Sequence, residues 1–286
     1  MDLNVSFSDL DSYLKWKNYD NVTTRENHHN EILTKWRESN LAETAVSGWC
    51  DVCAVSTNFL LDNLYSNEQN NYSQPNWRER LVCPDCNLNS RMRASFTIMK
   101  SIFAPESTIW ITEQSTKFFQ VAMKNYRNII GSEYLGAGFV SGEVLANGIR
   151  HEDCSASSHK SDSLDGVLSF DVMEHIPNYR EAILDTYRVL RPNGVFFWTA
   201  PFNANVQETS VRATVLSDGT IENILPPIWH GDPMNHSGGI LCYQIFGWDV
   251  HDLLRSAGFR EVQVHLFWSK SQAILGEPLP FFIAKK

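Results

Sequence analysis

The chain has 286 residues, with 24 Lys and Arg against 33 Asp and Glu, a formal charge of −9, and 43% hydrophobic residues. This composition can bury a full α/β core with a smaller appendage, and it excludes extensive disorder. The acidic balance lacks the basic footprint from which nucleic-acid binders draw most of their affinity, and no apolar run reaches the length of a membrane span. The N-terminal segment has no hydrophobic signal core, so a cytoplasmic protein without a membrane partner is expected. One local basic stretch, Arg78, Arg80, Arg91 and Arg93, reads as a solvated face beside a metal loop, with RNA contact as its alternative.

Residues 1–47 are polar and mostly helix-forming. Phe7, Leu10, Leu14 and Trp16, then Ile32, Leu33 and Trp36, give two short amphipathic patterns around a polar turn or mobile segment over 19–30. This stretch is expected to be an N-terminal arm or a lid. Residues 48–100 hold two Cys-x-x-Cys pairs around an Asn-rich loop, followed by a linker helix from Arg91 to about Phe103 that Pro105 ends. From 101 to 286 strands alternate with helices. Strands are predicted at 107–112, 128–134, 149–153, 164–173 and 195–202, with helices at 115–126 and 178–190. Residues 191–194, Arg-Pro-Asn-Gly, supply a helix stop and turn. A helix over 247–259 closed by Gly258, and strands at 261–269 and 281–286, complete the pattern. The alternation predicts a doubly wound, mostly parallel sheet finished by an antiparallel strand.

Cys50 and Cys53 with Cys83 and Cys86 suit a tetrahedral thiolate zinc site. Each pair can form a knuckle with sulfurs about 3.5–4 Å apart, as a Zn–S distance near 2.3 Å requires. The gap of about thirty residues exceeds the usual ribbon spacing, so an inserted loop is implied. Four thiolates leave no open position, which makes such a zinc structural. A redox pair, or two unrelated turns, is the alternative. A zinc deaminase is excluded, because it needs an H-x-E before P-C-x-x-C, and here His151-Glu152-Asp153 follows Cys83-Pro84-Asp85-Cys86.

Doubly wound sheets bind ligands beyond the carboxyl ends of their strands. The strand ends here are polar in succession: Thr112-Glu113-Gln114, then Glu133-Tyr134, then Asp153-Cys154, then Asp171-Val172-Met173. An acid at Glu133 can accept from two ribose hydroxyls, and Asp153 from an adenine amine. The segment LDGVLSFDVMEHIPNYREAILDTYRVLRPNGVFFWTAPF resembles the central block of class I S-adenosylmethionine-dependent methyltransferases, especially the group with a DVxEHI-like fourth-strand end. The resemblance covers about residues 105–286 and implies a Rossmann-like fold. It implies that Glu133 binds the ribose, that Asp153 and Cys154 face the adenine edge, and that Asp171 to Met173 form the wall beside the methionine part. The flanking segments RERLVCPDCNLNSRMRA and PPIWHGDPMNHSGGILCYQIFGWD resemble a subgroup that joins an N-terminal zinc module to this domain. One departure stands out. The family's glycine-rich turn after the first strand is replaced by Thr112-Glu113-Gln114-Ser115-Thr116, in which Ser115 and Thr116 can still cap the next helix.

Methyl transfer needs alignment, a dry cleft and sometimes a base. His175 and His230 are the leading base candidates, with Asp232 and His236 in the same loop as His230. These loop residues can equally be plain or form a second metal site with Asp232. Tyr243 and Trp229 are candidates for the pocket wall or the core. The expected function is methyl transfer from S-adenosylmethionine, with S-adenosylhomocysteine as product, to an O or N atom of a small-molecule acceptor, with a structural zinc. An RNA methyltransferase that uses the zinc module, and a catalytically silent relative, are the alternatives.

Overall fold

The computed structural model describes residues 2–19, 22–39, 43–69, 72–231 and 238–286. Two compact units divide the chain. The first comprises Met1–Ser6, Trp16–Ile102 and His265–Pro280, the second Phe7–Lys15, Phe103–Val264 and Phe281–Lys286.

Along the chain, strand β1 (Leu3–Phe7) precedes helices α1 (Leu10–Tyr19) and α2 (Val22–Glu38). Ile32, Leu33 and Trp36 are buried along one face of α2, the face that their spacing predicts. Two expectations need correction. Residues 3–7 alternate in burial as a strand does, and are not helical. Helix α2 starts at Val22, so most of the presumed polar turn over 19–30 is helix. A hairpin follows, β2 (Glu43–Cys50) with β3 (Val55–Asp62), in register from Glu43 opposite Asp62 to Cys50 opposite Val55. The short ribbon β4 (Asn67–Gln69) with β5 (Tyr72–Gln74) fills the Asn-rich insertion. Helix α3 (Ser90–Ile102) is the predicted linker helix.

The second unit carries β6 (Thr108–Ile111), α4 (Lys117–Asn125), β7 (Asn128–Gly131), β8 (Leu164–Phe170), α5 (Tyr179–Val189) and β9 (Leu190–Thr199). Three small ribbons follow. Strand β10 (Ser210–Val211) pairs with β15 (Gln244–Ile245), β11 (Ala213–Val215) with β12 (Ile221–Asn223), and β13 (Trp229–His230) with β14 (Ile240–Leu241). Helix α6 (Asp249–Ala257), β16 (Glu261–Ser269) and β17 (Ile274–Lys285) end the chain. Among the described residues one seven-stranded sheet has the order β1-β16-β17-β9-β8-β6-β7. Strands β7, β6, β8 and β9 run parallel, and β17 pairs antiparallel with β9. This is the Rossmann-like α/β fold that the alternation predicts.

Two elements differ from expectation. Residues 149–153 are not a sheet strand, and pair through two isolated bridges, Glu133 with His151 and Val144 with Arg150. Their backbone is used by their own loop, because His151 bonds Gly142 and Glu143. Residues 191–194 are not a separate turn either. Strand β9 begins at Leu190 and absorbs them through a register shift opposite Leu164–Gly166, with Asn193 at a positive φ of 68°.

The core of the second unit is aromatic. Trp198 stacks on Phe282 at 4.1 Å, and Phe170 meets Phe118 and Phe197 edge-on. Packing is tightest where β7 ends. A Cβ on Gly131 would lie 2.3 Å from the Phe119 ring, so only glycine fits under α4 there. Gly131→Ala should therefore cost about 1–3 kcal/mol. Chemical denaturation would show it as a lower midpoint at unchanged slope. Wild-type stability in the variant would contradict this packing.

Candidate functional site

The carboxyl ends of the parallel strands bring the first two predicted segments together. Strand β6 leads into Thr112 and Glu113, both 7% exposed. The chain then turns without glycine, and Oε1 of Glu133 accepts the N–H groups of Gln114 (2.8 Å) and Ser115 (2.6 Å). Thr116 caps α4, its hydroxyl accepting from the Phe119 N–H at 3.2 Å. The Gln114 side chain reaches the next segment, donating to the Gly148 carbonyl and accepting from the Arg150 N–H, both at 2.9 Å. Tyr134 is exposed, with its ring 5.5 Å from that of His151.

Asp153 sits in a tight turn, its Oδ1 accepting from the Ser155 N–H (2.8 Å) and hydroxyl (2.6 Å). Cys154 follows, its thiol pushed up to about 12 by burial and by the Asp153 carboxylate, so it stays neutral. This turn is anchored by Glu152, whose side chain is fully buried. Its carboxylate accepts from Arg150 Nε (2.8 Å) and from the Ser158 N–H (2.8 Å) and hydroxyl (2.6 Å). Burial alone would raise its pKa, but Ser158 and Arg150 outweigh burial and hold it below the ordinary value.

Strand β8 ends at Asp171, which has a positive φ of 56°, uncommon for a residue other than glycine. The Thr199 hydroxyl at the end of β9 donates to its Oδ1 at 2.8 Å. Val172 then leads into a single 3₁₀ turn, Met173–His175, with Met173 buried. Here lies a group that the sequence reading missed. The Glu174 side chain is fully buried, and its Oε1 lies 3.6 Å from His175 Nε2 and 3.5 Å from His230 Nδ1. The two imidazoles stand 3.3 Å apart through those same nitrogens. The two base candidates, 55 residues apart in sequence, thus meet because β13 pairs with β14 and His175 Nδ1 lies 2.8 Å from the Leu241 carbonyl. A carbonyl only accepts, so Nδ1 carries a proton, and in the neutral ring Nε2 presents a lone pair. Trp229 is exposed, whereas Tyr243 is buried with Leu241 and Ala213. Asp232 and His236 lie outside the described residues.

In the first unit, the two Cys-x-x-Cys pairs converge. Cys50 Sγ is 3.9 Å from Cys86 Sγ, Cys53 Sγ is 3.9 Å from Cys83 Sγ, and all four sulfurs lie within 4.8 Å of one another. These spacings are too long for disulfides and match the separation of about 3.8 Å set by tetrahedral Zn–S bonds near 2.3 Å. Each pair ends in a left-handed residue, Ala54 (φ 56°) and Asn87 (φ 58°), so both form the same kind of knuckle. Arg93 is buried nearby. It donates to the carbonyls of Gln272, Leu81 and Ala273 and lies over Phe59 at 3.7 Å. Burial pulls its pKa down to about 10 against the opposing pull of the sulfurs. The other arginines are paired too: Arg78 and Arg91 with Glu79, and Arg80 with Asp62. These internal pairs take up the arginines of the local basic stretch.

Residues 115–198 match the family described as the methyltransferase domain. Within this stretch the chain resembles a methyltransferase domain. Solved structures similar to it include an S-adenosylmethionine-dependent methyltransferase from Mesorhizobium loti (11% identity, TM-score 0.42, 68% of this chain and 98% of that one). Another is the Burkholderia thailandensis 1,6-didemethyltoxoflavin-N1-methyltransferase with bound 1,6-didemethyltoxoflavin and S-adenosylhomocysteine (16% identity, TM-score 0.40, 68% and 77%). No curated protein matches the chain. No helix among the described residues is long and apolar enough to cross a membrane.

The family match to the methyltransferase domain spans the Asp153 turn and the Asp171–His175 segment. Glu152 supports the first of these, and its loss is measurable. Glu152→Gln would leave Arg150 and two Ser158 donors facing a weaker acceptor, at a cost of about 3 kcal/mol. Its folded pKa is depressed, so the stabilisation is present above the unfolded carboxyl value of about 4.3 and fades as pH falls through the folded value. Denaturation of both proteins at neutral pH and near pH 4 should show the gap narrowing on acidification. An equal gap at both would contradict the ionised buried carboxylate.

Proposed function

We propose that the crevice at the carboxyl ends of β6 to β9 binds S-adenosylmethionine. The protein then transfers the methyl group to an O or N atom of a small-molecule acceptor. The observation that carries this reading is the Glu133 carboxylate at the end of β7. Both of its hydrogen bonds to the first loop fall on Oε1. A carboxylate has room for about four acceptor contacts, so Oε2 keeps the capacity for a ribose diol. Asp153 likewise spends Oδ1 on Ser155, which leaves Oδ2 for an adenine amine, with the neutral Cys154 thiol beside it. Asp171, Val172 and Met173, at the left-handed end of β8, are assigned to the wall beside the methionine part.

S-adenosylmethionine supplies an electrophilic methyl group, transferred by in-line displacement. The chain has to align the acceptor and keep water out. Glu174, His175 and His230 lie just past the end of β8 and are assigned to acceptor handling. The four cysteines hold a structural zinc that replaces a hydrophobic core in a polar stretch. In this reading residues 1–47 are an arm or lid, 48–100 the zinc module and 101–286 the methyltransferase domain. The engaged arginines disfavour an RNA acceptor, because phosphate contacts need unpaired cations.

Calorimetric titration of the full chain with S-adenosylmethionine and S-adenosylhomocysteine should show saturable binding. Asp153→Ala should weaken it by about tenfold or more, the equivalent of one lost hydrogen bond to a charged group. No binding by the wild type would favour a catalytically silent relative. For the cysteine site, a thiol-blocking mercurial should release about one zinc per chain. Protein purified without chelators that releases none would refute that site.

A further inference from the structure

Glu174 poses a problem that the methyltransferase reading does not solve. It is a fully buried carboxylate, and neither of its oxygens has a hydrogen-bond partner. A buried charge without compensation costs several kcal/mol, so such groups are paired, bonded or bound to metal. Neutral imidazoles do not compensate it. In that state His175 Nε2 and His230 Nδ1 satisfy each other at 3.3 Å and leave the carboxylate unpaired.

A cation placed among the three groups resolves all of this at once. The facing atoms are separated by 3.3, 3.5 and 3.6 Å. For ligand bonds of about 2.1 Å, such separations correspond to angles of about 100–120° at the ion, within the range of a tetrahedral centre. The second shell also fits. A metal-binding histidine almost always gives its other N–H to a carbonyl or carboxylate, and His175 Nδ1 does so to Leu241 at 2.8 Å. Two imidazoles and one carboxylate suit a first-row divalent ion, zinc foremost, and leave at least one position open.

We propose that Glu174, His175 and His230 form a mononuclear divalent-metal site, distinct from the four-cysteine cluster. Its open position takes an oxygen ligand, either water or a hydroxyl of the methyl acceptor. The acceptor role rests on the methyltransferase reading, whereas the ion site does not. An acceptor hydroxyl held there would be acidified by the ion and lose its proton to solvent, and its oxygen would then form the bond to the methyl carbon as the carbon–sulfur bond breaks and S-adenosylhomocysteine leaves. Both histidine nitrogens are then committed to the metal and do not serve as bases.

The test uses full-length protein with its cysteine cluster already filled by zinc, titrated with cobalt(II) and followed by visible absorption. The wild type should bind one equivalent, with weak visible bands and no sulfur-to-cobalt charge transfer. Glu174→Gln and His230→Ala should each weaken that binding by more than about 100-fold, beyond the loss typical of second-shell changes. His230 is one-third exposed, so its replacement should leave thermal unfolding of the metal-free site unchanged. Asp153→Ala should bind cobalt like the wild type, which separates this site from the cofactor crevice. The proposal is overturned if the wild type binds no cobalt, if the bound cobalt shows thiolate charge transfer, or if both ligand variants bind it normally.

Discussion

One oxygen of Glu133 accepts both backbone N–H groups at the turn where β6 hands over to α4. Much of the crevice depends on that constraint. The turn has no glycine, so its shape is held by an external acceptor and not by backbone freedom. The backbone of Glu133 also meets the third segment, donating to the Arg150 carbonyl and accepting from the Glu152 N–H. Gln114 closes the triangle through Gly148 and Arg150. The ends of β6 and β7 and the loop over 148–152 are thereby tied to one another before any ligand arrives, which is what preorganisation of a binding site requires.

Buried charge is handled in three ways in this chain, and the contrast is informative. Arg93 bonds three carbonyls through its terminal nitrogens and lies over an aromatic face near the sulfurs, with its Nε left without a hydrogen bond. Glu152 is satisfied by Arg150 and Ser158, and so fixes the turn that presents Asp153. Glu174 alone among these three has nearby histidines but no hydrogen bond. The first two each have several hydrogen bonds and the third has none, which marks Glu174 as a place where something else supplies the compensation.

Much of this was legible in the sequence, for physical reasons. Long apolar runs such as LDGVLSF and VFFWT read as buried parallel strands, and the spacing of Ala182, Ile183 and Tyr187 reads as a helix face. The paired cysteine spacing announced its cluster. Other features were hidden. The hairpin of β2 and β3 has weak alternation, and its role appears only when Cys50 is seen at its tip. The third predicted strand, IRHED, is instead part of a loop, because its backbone bonds at His151 go to Gly142 and Glu143 of the same loop. Glu174 looked like part of a motif, and only the pairing of β13 with β14 brings His230 to it.

The central claim is that the carboxyl ends of the parallel strands form the donor site. Hydrogen exchange of the full chain with and without S-adenosylhomocysteine tests it most directly. The account predicts added protection concentrated at residues 112–116, 133–134, 153–155 and 171–173, with the cysteine module unchanged. Protection elsewhere with none at these four segments would contradict it.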